Sequence, residues 1–164
     1  MKKYEFTGET KRLGSYILHR IRAVRDFGNV KKGDLGGFIE REENLSHDFQ
    51  AWVYDNAVVC DNAMVISDAH VYGNAWVCGN AVICGYAKVY DNAYIGGNAD
   101  IGGYAEVRND ARVVSNARVS DYAKVYGDAR VFCNAYVYGY ARVHGRAHVG
   151  GNAEIHGATE LFEM

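Results

Sequence analysis

The side chains best suited to acid–base chemistry in this sequence are the histidines of its second half, His144, His148 and His156, with His70 further upstream. His144 and His148 flank one expected bend, so both imidazoles could face a single cleft as general bases. No carboxylate stands at a spacing that identifies a dyad with either, and isolated surface histidines are the plainer reading. The three histidines also lack the spacing of a zinc site built from three imidazoles meeting across an interface. The four cysteines, Cys60, Cys78, Cys84 and Cys133, contain no C-x-x-C pair. No catalytic residue and no metal ligand is therefore assigned.

A second group of residues points to binding. Arg112 and Arg130 are eighteen residues apart, as are Trp76 and Tyr94, and Arg118 lies close by in sequence. Guanidinium groups recognise phosphate and carboxylate by charge-assisted hydrogen bonds, and aromatic rings offer a stacking surface. Trp76, Tyr94, Arg112, Arg118 and Arg130 are thus the candidate ligand-binding residues, for an anionic small molecule such as a nucleotide. A competing explanation is local: Asp110-Ala111-Arg112 and Asp128-Ala129-Arg130 place a carboxylate two residues from each arginine, where a surface ion pair would account for both.

The elements that hold these residues follow from a strict period. Alanine recurs at every sixth position from Ala51 to Ala153, and two residues after each alanine stands Val or Ile, from Val53 to Ile155. A period of six fits neither a helix nor an ordinary strand; it marks a β-solenoid of hexapeptides. Alanine and the β-branched residue point inward, two apart, as strand alternation requires. Between them fall Gly, Asp and Asn, as in Asp55-Asn56, Gly79-Asn80 and Gly97-Asn98, residues that accept left-handed backbone at low cost. Three such bends close a triangular coil of eighteen residues, so the repeats predict about six coils. The absence of proline agrees, because each coil must donate backbone hydrogen bonds to its neighbour. Residues 1–49 lack the repeat and are expected to form an N-terminal β cap over the open end of a shaft spanning 50–164.

Residues eighteen apart should stack into ladders. One corner carries Asn62, Asn80, Asn98, Asn116, Asn134 and Asn152, read as a structural amide ladder. Another carries Tyr86, Tyr104, Tyr122 and Tyr140. One flat face presents Val58, Cys60, Trp76, Cys78, Tyr94 and Phe132, an apolar strip expected to form an intersubunit contact. A second presents Met64, Ile66, Val82 and Cys84 in its first coils. Cys60 and Cys78 should lie on adjacent coils within disulfide range, although reduced thiols on an apolar face are the simpler reading.

The Val/Ile and Ala slots resemble the hexapeptide-repeat family of left-handed parallel β-helices. The leader, through Ile21-Arg22-Ala23-Val24-Arg25-Asp26-Phe27, Val30 to Glu40 and Asn44-Leu45-Ser46, resembles that of bacterial and phage-borne β-helix proteins related to the enterobacterial protein YdcK, described loosely as transferases. The resemblance implies left-handed coils, a homotrimer, and acyl-CoA or acyl-carrier donors in its enzymatic branches. Those acyltransferases commonly extrude a loop to wall the active-site cleft, and none interrupts the repeat between Ala51 and Ile155. A non-catalytic binding module, with an anionic small molecule or a host protein as partner and a phage or prophage setting, is accordingly the preferred reading. An acyltransferase using acyl-CoA is the alternative, and no cofactor is expected otherwise.

A net charge of −2 carries no global signal for nucleic acid or membrane. No apolar run follows Lys2-Lys3, so no signal peptide is read and a cytoplasmic location is expected.

Overall fold

The computed structural model describes residues 1–164 and is built almost entirely of β-structure. Two long antiparallel strands, β1 (Tyr4–Leu13) and β2 (Tyr16–Ala23), form a hairpin, and β3 (Leu35–Ile39) pairs antiparallel with β2. From β3 onward the chain coils, laying a two- to four-residue strand on each of three faces per turn. Three parallel sheets result. One continues from the hairpin through Val58, Trp76, Tyr94, Arg112 and Arg130 to His148; the second runs from Trp52 to Glu160; the third runs from Met64 to Glu154.

Neighbouring coils are in strict register, Val on Val or Ile at each rung. The core is one column: every repeat-slot Ala and Val or Ile from Ala51 to Val149 is buried. Ala153 and Ile155, in the last repeat, are only half-buried, because a single further strand, Glu160–Glu163, covers one of the three faces at that end.

The bends have one recurrent geometry. The second residue after each core Val or Ile takes a positive φ, whether glycine, as at Gly97 (64°), or a side-chain-bearing residue such as Asp121 (56°) or Cys133 (58°). Where that residue is Asp or Asn, its side chain accepts the backbone N–H eighteen residues on: Asp55 from Gly73 at 2.9 Å, Asp61 from Gly79 at 2.9 Å, Asp91 from Asn109 at 3.1 Å, Asn109 from Gly127 at 3.2 Å, Asp121 from Gly139 at 3.0 Å. The preference for Asp at these bends therefore has two causes, tolerance of the left-handed region and satisfaction of a donor in the next coil. The Asn62 column stands one residue later and outside the left-handed region; its amides bond in sequence at 2.9–3.2 Å.

The solenoid has about one coil more than the repeat predicts. Phe38 and Ile39 pair with Val58 and Val59, and Leu45 bridges Val65, so the first coil is built from residues assigned to the cap. Ile39 and Leu45 keep the six-residue step, but Leu45 and Val53 are eight apart, and that two-residue excess hides the coil in the sequence. Gly37 takes the alanine slot, where a Cβ would lie 2.6 Å from the Ala57 carbonyl.

The hairpin does more than close an end. With Phe38 it folds over the first sheet, so that Leu18, Phe38, Val58, Cys60 and Cys78 form a separate buried cluster outside the shaft. Val58, Cys60 and Cys78 are 5%, 0% and 8% exposed. The strip expected to meet another subunit is thus covered, in its first coils, by the chain's own hairpin. A leader with alternating apolar residues satisfies the exposed face at short range, and these three residues are not available to a partner.

Candidate functional site

Beyond the hairpin's edge the same sheet changes character. Tyr94, Arg112, Arg130 and His148 follow one another in register on adjacent rungs. Each takes the position before a core Val or Ile and so points outward. Beside them, after the core residue, stand Val114 and Phe132. Together with Ser115 they line a groove of about 400 Å³. Its lining contains two guanidinium groups and an imidazole and no carboxylate.

Stacked arginines repel, and no acid lies within ion-pair distance of either. None of the protein's ion pairs involves Arg112 or Arg130. The carboxylates two residues upstream face the corner instead, where Asp110 accepts the Asn92 amide at 3.2 Å. Neither arginine closes an ion pair with the carboxylate two residues upstream, although both acids line a groove on the arginines' other side. Arg112, Arg130 and His148 also line this second groove, of about 460 Å³, together with Arg146, Asp110, Asp128 and Glu163, so one side of the cationic strip faces carboxylates. On the side that faces Tyr94 and Phe132 the two guanidinium groups meet no carboxylate.

The structure brings together Tyr94, Arg112 and Arg130. It separates Arg118, which lies on another sheet with its guanidinium 5.4 Å from the Tyr136 ring. Trp76 sits one rung beyond Tyr94, half-buried, its ring edge-on to Tyr16 and its indole N–H donating to the Cys60 sulfur at 3.2 Å. Phe132 lines the groove, edge-on to His148. His148 was not among the expected ligands, although its distance of eighteen from Arg130 signals the same ladder.

A second spacing organises the surface and was missed by reading ladders alone. The residue after a core Val reaches diagonally to the residue before the core Val one coil later, sixteen positions on. Tyr90 donates to Glu106 at 3.3 Å, Tyr138 to Glu154 at 3.3 Å, and Ser120 bonds Tyr136 at 2.9 Å. The same diagonal joins His144 Nε2 to Glu160 at 2.8 Å. A histidine–carboxylate pair therefore exists where none was read from the sequence. His144 is also stacked between Tyr126 and Phe162. It belongs to the neighbouring sheet, across the Gly145-Arg146 bend from His148, and does not line the cationic groove. For Arg112 and Arg130 the diagonal positions are Gly96 and Val114, which explains why neither finds an acid.

The groove can hold an anion attached to an apolar or aromatic group. Ser115 is the one hydroxyl-bearing aliphatic residue in its lining, and no histidine is hydrogen-bonded to it. No group of three or more His, Cys, Asp or Glu converges as metal ligands do. No helix is long and apolar enough to cross a membrane.

The hexapeptide register, three stacked parallel sheets and outward ladders define a hexapeptide-repeat β-helix. No protein-family model matches the chain. A 76-residue stretch is 34% identical to the uncharacterized acetyltransferase YdcK of Escherichia coli K12, over 41% of this chain and 23% of that protein. This partial likeness and the fold fit the hexapeptide-repeat family; the chain spans under a quarter of the relative's length in the match.

Proposed function

We propose that this protein is a non-catalytic β-solenoid module that binds an anionic small molecule in the groove over Arg112 and Arg130. The observation that carries the reading is the pair of stacked guanidinium groups, with His148 beside them, free of ion pairs and facing no carboxylate on the Tyr94–Phe132 side. Tyr94 and Phe132 flank these cations and suit a ring, so a nucleotide is the ligand class that uses every part of the groove. The module self-associates, as a trimer, through the face that presents Met64, Ile66 and Val82, since the hairpin already occupies the first coils of the other apolar face.

A hexapeptide-repeat acyltransferase using acyl-CoA is the second reading. The His144–Glu160 pair favours it, because a carboxylate on Nε2 orients the ring and makes Nδ1 the remaining acid–base site. The partial relative's description as an acetyltransferase points the same way. The binding reading is preferred because the charged groove and the histidine pair lie on different faces.

Thermal-shift measurements with nucleotides, acyl-CoA and small organic anions discriminate the two. A nucleotide should stabilise the protein. Arg112→Ala should weaken that binding about tenfold or more, since charge-assisted hydrogen bonds contribute roughly 1.5–3 kcal/mol, and should leave the melting temperature of the free protein unchanged. Stabilisation by acyl-CoA alone, with acyl transfer abolished by His144→Ala, overturns the binding reading in favour of the enzyme.

A further inference from the structure

Two of the four cysteines form a site that neither reading uses. Cys60 and Cys78 directly follow the in-register pair Val59 and Val77. Their backbones are tied to successive rungs, Cys60 N–H to Val77 at 3.0 Å and Cys78 N–H to Ile95 at 2.9 Å. Adjacent rungs place the two Cα atoms roughly 4.8 Å apart, inside the roughly 4.4–6.8 Å range that a disulfide spans. Both side chains leave the shaft on the same side and are buried in one cluster beneath the hairpin. Cys84 and Cys133 have no such neighbour; they lie on other strands, and Cys133 is exposed.

The surroundings differentiate the two thiols. The Tyr94 hydroxyl lies 3.0 Å from the Cys78 sulfur. The Cys60 thiol beside it and the Tyr94 hydroxyl lower the pKa of Cys78, against the opposing effect of burial. Its neighbour Cys78 and burial push the Cys60 thiol up. The hairpin, through Leu18 and Phe38, covers the pair and leaves Cys78 8% exposed and Cys60 fully buried. Cys78, the more acidic and the less deeply covered of the two, stands at the hairpin's edge, with Cys60 fully buried behind it, the arrangement of an attacking and a resolving cysteine.

We propose that Cys60 and Cys78 are a redox site that a hydroperoxide converts into an intrachain disulfide. The Cys78 thiolate attacks the peroxide; the O–O bond breaks, the leaving oxygen departs protonated, and a sulfenic acid remains. The Cys60 sulfur then attacks Cys78, the S–O bond breaks, and water leaves with the Cys60 proton. With hydrogen peroxide, two thiols lose two electrons and the peroxide becomes two molecules of water. Closing the bond withdraws the Cys60 sulfur from the Trp76 indole and the Cys78 sulfur from Tyr94. Tyr94 also lines the cationic groove, so the groove adjoins the redox site directly.

The test needs no ligand and is independent of the binding reading. In a Cys84→Ser, Cys133→Ser background, hydrogen peroxide should remove both remaining thiols, the intact mass should fall by two hydrogens, and Trp76 fluorescence should change in step. Thioredoxin or dithiothreitol should reverse all three. Cleavage at Asp61 and Asp68 separates the two cysteines, so the fragments should stay linked until reduced. Cys60→Ala should instead accumulate oxygen on Cys78, and Cys78→Ala should leave Cys60 unreacted. Oxygen added to Cys78 while Cys60 remains a free thiol in the parent background overturns the proposal. So do two thiols that survive peroxide in the folded protein but react in denaturant.

Discussion

Asp121 isolates what the bends contribute. It holds a left-handed φ of 56°, and its carboxylate accepts the Gly139 N–H at 3.0 Å. That N–H has no backbone acceptor, so the side chain is its sole protein partner. Asp121→Ala removes the bond, worth about 0.5–1.5 kcal/mol net at an exposed position. It also keeps a Cβ in the left-handed region without the local polar interactions that ease Asp there. Asp121→Gly loses the same bond but sheds a left-handed cost of roughly 1–2 kcal/mol, against an added entropy of about 0.5–1 kcal/mol in the unfolded chain. Asp121→Asn keeps both acceptor and backbone, as Asn109 does with Gly127 at 3.2 Å. The expected order of stability is wild type, then Asn, then Gly, then Ala. The Ala variant should fall about 1–2 kcal/mol below wild type and the Gly variant should recover roughly half of that loss. For a domain of this size each kcal/mol moves the melting temperature about 2–4 °C, which urea titration and calorimetry both resolve. An Ala variant as stable as the Gly variant would refute the account of the bends.

Lys3 is fully buried, with Nζ donating to the Ala51 carbonyl at 2.7 Å and the Asp48 carbonyl at 3.3 Å, and burial, aided by Arg25, lowers its pKa from 10.5 to about 8. The unfolded chain then binds more protons than the native one between those values, so this lysine's contribution to stability rises as pH climbs from about 8 toward 10.5. Stability measured for wild type minus Lys3→Met should show that rise, and a difference flat across the window would contradict it. Light scattering should give the wild type a mass about three times the 18.2 kDa of one chain. Val82→Asp should reduce that mass and Val58→Asp should unfold the hairpin face instead; a monomeric wild type would exclude the assembly.

The shaft was legible because its two inward slots admit almost nothing else. Ala99 and Ile101 sit in a column with no room for variation, so the core wrote itself into the sequence at every sixth residue. The Asn62 ladder was legible for a related reason, since identical amides bond well when stacked. The first coil was not, because two extra residues between Leu45 and Val53 break the step and Gly37 replaces alanine. Nor was the covering of Val58, Cys60 and Cys78, which depends on where a hairpin of ordinary alternation docks. Arg112 and Arg130 were singled out by their ladder spacing, whereas His148 needed the same ladder followed one rung further. The His144–Glu160 pair needed the diagonal of sixteen, a relation between unlike positions that a search for like residues at a fixed period passes over.

That diagonal governs what copying a coil can preserve. A duplicated stretch of eighteen residues sets every outward side chain against its own twin. Asparagine and tyrosine accept a twin, as the bonded amides and the Tyr86–Tyr104–Tyr122–Tyr140 stack at 4.9–5.0 Å demonstrate. A charged residue does not, and needs its complement on the diagonal or an opposite charge on the next rung, as Lys88, Glu106 and Lys124 alternate along one face. Uniform polar and aromatic columns are therefore compatible with exact copies of a coil, whereas a charged column needs alternating sign or a partner on the diagonal. Arg112 above Arg130 is a like-charged pair, as is Lys124 above Arg142, but Lys124 reaches Glu106 at 3.6 Å whereas neither Arg112 nor Arg130 has an ion-pair partner.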